Sequence, residues 1–222
     1  MGTLYLVRHG QASFGADDYD QLSDLGLRQS VRLGEYLADK GLHVDAAMTG
    51  SLRRHKQTWD GIRQGGRFDV QAQEHAALDE YDSHALIETV HPYPLAKPDT
   101  PETYRQHFRL LRDGLTQWMN GVTRPTGMPT YEVFNAGIRQ VLDHVRQNHD
   151  GNVLLVSSGG PIATVMGQVL GLAPETTIAL HMRIRNSAVS EFTFNPKRHM
   201  LLTYNTLPHL DGAPYRDWVT YA

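Results

Sequence analysis

Asn152-Val153-Leu154-Leu155-Val156-Ser157-Ser158-Gly159-Gly160-Pro161 is the stretch on which the fold turns. Four consecutive apolar residues with no alternation fit a strand covered on both faces, as in a parallel sheet. The glycines and the proline then turn the chain into a helix expected from Pro161 to Leu170. A proline is tolerated there because the first helical turn leaves its N–H positions unpaired anyway.

The same alternation of strand and helix recurs on both sides of this stretch. Thr3 to Val7 is a short apolar strand ended by Arg8-His9-Gly10, followed by a polar loop over residues 11–23 that contains Gly15, Asp17 and Asp18. From Asp24, the positions Leu25, Val31, Leu33, Tyr36 and Leu37 suit an amphipathic helix that Gly41 ends. Asp45 to Met48 reads as a strand, with Thr49-Gly50-Ser51 offering an N-cap region for a helix through Arg54 and Trp59 to about Ile62. Val70 to Gln73 adds a further strand. A long helix is expected from Tyr131 to Asn148, with Ile138, Val141, Leu142 and Val145 on its apolar face. Strands over Ala188–Phe194 and Met200–Tyr204 close the series, and the last dozen residues carry no assignment.

The segment 91–129 breaks the rhythm. Prolines crowd both of its ends around one helical run from Glu102 to Met119, which Thr100-Pro101-Glu102 would start. One helix cannot bury a core of its own, so the segment reads as a cap inserted in a single domain spanning 1–222. The expected fold class is α/β: a three-layer α/β/α sandwich on a mainly parallel sheet, with room for one antiparallel strand near the end, plus the helical cap.

Bulk properties narrow the function. The chain has 222 residues, a formal net charge of −3 and no cysteine. Thiolate catalysis, disulfides and cysteine-based zinc sites are therefore excluded, and no global basic field draws the chain to nucleic acid. No apolar run approaches the roughly 18 residues of a membrane span, and no signal peptide is read at the N-terminus, so a cytoplasmic location is the expectation. His75, His84 and His91 lack ligand spacing, so no metal is expected. A Gly-x-x-x-x-Gly-Lys loop is also missing, which argues against a P-loop hydrolase.

Four segments carry chemistry. Arg8-His9 lies just past the carboxyl end of a strand, where open α/β sheets place their ligand crevice. An imidazole there can attack phosphorus while the guanidinium neutralises phosphoryl oxygens. Leu52-Arg53-Arg54-His55-Lys56-Gln57-Thr58 sits at a helix start, where free N–H groups favour anions and only one of the two arginines need face inward. Glu80, in Leu78-Asp79-Glu80, can protonate a departing oxygen if burial raises its pKa. Ser157-Ser158-Gly159-Gly160 lets backbone amides approach an anion.

In this order, the segments resemble the histidine phosphatase superfamily, the phosphoglycerate mutase-like proteins, over nearly the whole chain. Leu6 to Gln11 resembles the signature, which implies His9 as the residue phosphorylated and Arg8 and Gln11 as phosphate contacts. Leu25-Gly26 and Gln29 resemble the helix start that follows. Leu52 to Thr58 resembles the second motif, implying Arg54 as the second phosphate-binding arginine. Leu78-Asp79-Glu80 implies Glu80 as the acid/base, and Asn186-Ser187 resembles the motif before a late strand. The resemblance departs at one position. The family usually carries a second histidine after the Val-Ser of the late strand, contacting the same phosphoryl group, and Ser158 stands there with Gly159 beside it.

The resemblance implies phosphomonoester hydrolysis through a phosphohistidine, without cofactor or metal. The substrate would be a small phosphorylated molecule or a phosphoprotein; nucleic acid and membrane are not expected partners. Two other readings follow from the same residues. One is mutase-type transfer, for which the cap supplies Lys97, Arg105, Arg109, Arg112 and Arg124 but no adjacent arginine pair. The other is a weakly active or non-catalytic phosphate-binding module, permitted by Ser158, in which Ser158→His should gain activity.

Overall fold

The computed structural model describes residues 1–13, 20–95 and 100–221. The loop residues Gly15, Asp17 and Asp18 and the cap's Lys97 lie outside them. Strand β1 (Gly2–Arg8) leads through a loop to helix α1 (Asp24–Asp39), then β2 (Ala46–Thr49), α2 (Arg53–Gly66) and the short β3 (Ala72–Glu74). A 3-10 turn (Ala76–Leu78), α3 (Ser83–Glu88), α4 (Pro101–Met119) and α5 (Tyr131–Asn148) come next. Then follow β4 (Asn152–Ser157), α6 (Gly159–Leu170), α7 (Pro174–His181), β5 (Val189–Asn195) and β6 (Arg198–Thr206), with 3-10 turns at Pro208–Leu210 and Ala213–Trp218.

The strands form one six-stranded sheet in the order β3-β2-β4-β1-β5-β6. Strands β1 to β4 are mutually parallel, and β5 runs antiparallel to both β1 and β6. The expected antiparallel strand is thus β5. Successive residues of the central strands point to opposite faces. Val153 and Leu155 join Leu4, Leu6 and the apolar stripes of α5 and α6. Leu154 and Val156 join Val7 and the stripes of α1 and α2 (Leu33, Leu37, Trp59, Ile62). Two buried faces of one sheet explain the unbroken apolar run from 153 to 156.

Four local readings are corrected. Helix α2 starts at Arg53 and has no side-chain cap of its own, because Thr49 ends β2 and Ser51 donates its hydroxyl to Asp79. Carboxylates from elsewhere take the free amides instead: Asp20 accepts from Arg53 N at 2.9 Å and Asp79 from Ser51 N at 2.6 Å. The helix also continues past Ile62 to Gly66, ending at Arg67 in left-handed geometry. Helix α6 begins at Gly159, so the glycines form its first turn. The edge strand β3 starts two residues later than read, at Ala72, and ends one later, at Glu74.

Helix α4 is anchored through aromatic packing. Trp118 of α4 is 1% exposed and packs edge-on against Tyr81 and Tyr131, in a cluster with Leu86, Leu111, Leu115 and Ile178. A cavity of about 910 Å³ beside α3 is lined by His84, His91, His107 and Arg124, among others.

Candidate active site

The carboxyl ends of β1 and β4 lie side by side, with Arg8 opposite Ser157 in the parallel register. His9 therefore emerges beside the start of α6. Its backbone is fixed on both sides: its N–H donates to Ser157 O at 2.9 Å, and its carbonyl accepts from Ser187 N at 3.2 Å and Asn186 Nδ2 at 3.4 Å. The Asn186-Ser187 pair thus serves the first strand, and Ser187 takes a positive φ of 56° to do so. The loop after His9 presses on the first turn of α1, where a Cβ on Gly26 would fall 2.1 Å from Gln11 O. Buried Gln29 closes the corner by accepting from Gln11 N at 2.8 Å and donating to Trp218 O at 2.6 Å.

The His9 ring is 3% exposed, and its Nδ1 donates to the carbonyl of Gly10 at 2.7 Å. Burial, with the Arg8 and Arg54 guanidiniums and the His55 ring beside it, holds His9 well below the ordinary imidazole range. A neutral ring with its proton on Nδ1 leaves the Nε2 lone pair available.

Arg8 donates to the carbonyls of Ile184 and Tyr221, so the chain's last described turn helps aim it. Arg54 is 7% exposed and ion-paired with Asp20 at 2.8 Å, while its other terminal nitrogen lies 3.4 Å from Ser158 Oγ. Arg53 is exposed, so Arg54 is the arginine that faces inward. Both Glu80 carboxylate oxygens accept from Gly160 N at 3.1 Å, at the start of α6. Burial pushes the Glu80 carboxyl above its ordinary value, opposed by the Gly160 hydrogen bond and the two arginines.

The structure therefore gathers Arg8, His9, Arg54, Glu80, Ser158 and Gly159 at one end of the sheet. Gln11 is adjacent, its side-chain carbonyl accepting from Ser23 Oγ at 2.8 Å. The Gly160 amide, expected to face an anion, is taken by Glu80. His84 is exposed and lines the cavity beside α3, away from these residues. Among the described residues, no three His, Asp or Glu side chains are grouped to hold a metal ion. None of the described helices is long and apolar enough to cross a membrane.

Two histidines were not singled out by the sequence reading. His55 is fully buried with Nε2 2.7 Å from Ser158 Oγ, and its ring centre lies 5.7 Å from that of His9. His181 of α7 reaches back so closely that a Cβ on Gly159 would fall 2.8 Å from its Nε2, and it meets the Tyr81 hydroxyl at 3.2 Å. Burial depresses both rings to about 3, aided by Arg54 for His55 and Arg8 for His181. The signal for His55 was present in the sequence: a histidine inside the second motif of a chain that lacks one after β4.

The profile of the histidine phosphatase superfamily (branch 1) matches residues 4–207. The chain belongs to that superfamily. Among curated relatives, a 2,3-bisphosphoglycerate-dependent phosphoglycerate mutase of Allorhizobium ampelinum is 37% identical over 92 residues, covering 36% of this chain and 42% of the mutase. The chain thus matches less than half the length of that relative. A Hydrogenobacter thermophilus protein provisionally named phosphoserine phosphatase 2 is 26% identical over 94% of this chain and 98% of its own length. The solved phosphoserine phosphatase of Entamoeba histolytica, in complex with 3-phosphoglyceric acid, superposes with a TM-score of 0.65 at 20% identity. It covers 95% of this chain and 100% of that one. A mycobacterial glucosyl-3-phosphoglycerate phosphatase gives 0.63 at 21% identity over 92% and 98%. These likenesses establish the fold of a histidine phosphatase, and the superfamily with its named relatives supports phosphoryl transfer.

Proposed function

We propose that this histidine phosphatase is a metal-independent phosphomonoesterase that works through a phosphohistidine on His9. The observation that carries the reading is the His9 contact: Nδ1 lies 2.7 Å from Gly10 O, an oxygen that can only accept, so the proton of a neutral ring belongs on Nδ1 and Nε2 is left as the lone pair in a pocket flanked by two arginines. Nε2 attacks phosphorus in line as the ester P–O bond breaks, and Arg8 and Arg54 balance charge on the phosphoryl oxygens. Glu80, whose carboxyl burial raises above its ordinary value, gives a proton to the departing oxygen. Water then attacks the phosphohistidine and yields its proton to the Glu80 carboxylate. The P–N bond breaks, and inorganic phosphate leaves with His9 and Glu80 restored.

A small phosphorylated metabolite is the substrate class favoured over a phosphoprotein, in keeping with the substrates for which the relatives are named. Neither a cofactor nor a macromolecular partner is needed for these steps, and a cytoplasmic setting suits such a substrate. The cap at 91–129 would set substrate size, with Trp118 anchoring it above Tyr81.

The partial match to a mutase favours a second reading, in which the phosphoryl group returns to the bound sugar acid. That needs cations reaching in from the cap. Arg105, Arg109 and Arg112 are instead exposed on α4, with Arg105 paired to Glu102. A panel of phosphorylated metabolites, with 3-phosphoglycerate isomerisation run alongside, separates the two. Phosphate release by the wild type and none by His9→Ala supports the phosphatase. Isomerisation without release supports the mutase, and binding without turnover supports a recognition module.

A further inference from the structure

We propose that Ser158 and His55 act as one unit, with the hydroxyl touching the bound phosphoryl group and the imidazole behind it supplying positive charge. The inference rests on the phosphoryl site proposed above, and it assigns a role to a histidine on α2 that the steps there leave unused.

Three observations carry it. His55 Nε2 is 2.7 Å from Ser158 Oγ, and Arg54 reaches the same oxygen at 3.4 Å, so the hydroxyl is the meeting point of two basic groups. The far nitrogen, His55 Nδ1, is buried without a hydrogen-bond partner, and its nearest acid is Asp79 Oδ1 at 3.8 Å. Asp79 is itself held by Ser51 and by Leu52 N. Third, the chain makes room for this ring: a Cβ on Gly50 would fall 2.3 Å from His55 Nδ1 and 2.4 Å from Asp79 Oδ1. Carboxylate, imidazole and hydroxyl thus lie in a row that ends at the phosphoryl site.

The charged and titratable groups facing His55 are Arg54 on its own helix, Asp79 after the 3-10 turn at Ala76–Leu78, and His9 after β1. With the site empty, burial and Arg54 keep the ring neutral. A phosphoryl dianion against Ser158 reverses that balance, because two negative charges a few ångströms away favour the imidazolium. His55 then takes one proton from solvent, presents Nδ1–H towards Asp79, and donates Nε2–H to Ser158 Oγ. The serine's own proton is freed to donate to a phosphoryl oxygen. His55 is a positioning residue in this scheme, acting through Ser158.

Proton uptake on anion binding tests it without any need for turnover. Tungstate is the probe, since it mimics phosphate and does not titrate near neutral pH. Calorimetric titrations in two buffers of different ionisation enthalpy count the protons taken up. The wild type and His9→Ala should each take up close to one proton, whereas His55→Gln and the ring-sized His55→Phe should take up none. Turnover of His55→Gln should fall roughly 10- to 150-fold, mostly in kcat, the loss expected for a charged donor. No uptake by the wild type, or uptake unchanged in both His55 variants, overturns the inference. Uptake as expected in a protein that hydrolyses no ester would sink the phosphatase reading and leave the relay standing.

Discussion

Glu80 shows how this site trades stability for chemistry. Its carboxyl is buried and its folded pKa is raised above the ordinary 4.5. A raised acid contributes stability below its unfolded value, and that contribution is lost as pH rises through the folded value. At neutral pH the ionised form is therefore the strained one. Glu80→Gln keeps an acceptor for Gly160 N and removes the ionisation. It should lower kcat by about 10²- to 10⁴-fold, the usual worth of general acid–base catalysis. The same variant should melt higher than wild type at pH 7.5, by about 2–4 °C for each kcal/mol recovered. Paired assays of phosphate release and thermal melting check both, and a variant that melted lower at pH 7.5 but not at pH 4 would contradict the account. At position 158 the structure also changes an expectation. With His55 Nε2 2.7 Å from Ser158 Oγ, a second imidazole there would collide with the first, so Ser158→His alone should lose activity rather than gain it.

At the scale of elements, the site depends on close approaches between segments far apart in sequence. Gly50, at the end of β2, admits His55 and Asp79 where a methyl group has no space. Gly50→Ala should cost about 1–3 kcal/mol, as overpacked cores do, and should disturb the His55–Ser158 contact. Denaturant unfolding read beside turnover measures the two effects. Gln29 of α1 is the second such tie, joining Gln11 to the segment at Trp218 and Thr220. Gln29→Leu leaves buried polar groups on both sides unpaired, so a loss on the order of 2 kcal/mol or more is expected in the same unfolding assay.

These ties also mark how far the sequence could be read. The strands β1 and β4 and the helices α1, α4 and α5 were legible because their apolar periods are long and unambiguous. So were Arg8, His9, Arg54 and Glu80, which sit in ordered motifs. Helices α3 and α7 were missed, being only 6 and 8 residues long and too short to show a period. The start of α2 was misread because its amides are satisfied by Asp20 and Asp79, residues outside the local window. His55 and His181 gain their meaning from Ser158 and Gly159, about a hundred and about twenty residues away in sequence, which no local pattern displays. The closing segment looked featureless, yet its backbone carbonyls hold Arg8 and Gln29.

For the whole molecule, the buried histidines set the response to acid. Burial lowers His9 well below 6.5 and brings His55, His181 and His209 to about 3. A depressed base contributes stability above its unfolded value, and that stability is lost as pH falls towards the folded value. Below about pH 6.5 the unfolded chain binds protons that the folded chain refuses. Each such group then removes up to about 1.4 kcal/mol per pH unit. Urea midpoints should fall steeply between pH 7 and pH 5, and a flat profile across that range would show that these rings are not held neutral.

The nucleophile is the centre of the account, and one measurement addresses it directly. Wild-type protein and His9→Ala are mixed with a phosphate monoester that the wild type hydrolyses, labelled on phosphorus, and quenched within one turnover. The account predicts label covalently bound to the wild type, recovered on His9 after proteolysis, with no label on His9→Ala and no phosphate released by it. Equal turnover by His9→Ala, or label found on another residue, would contradict it.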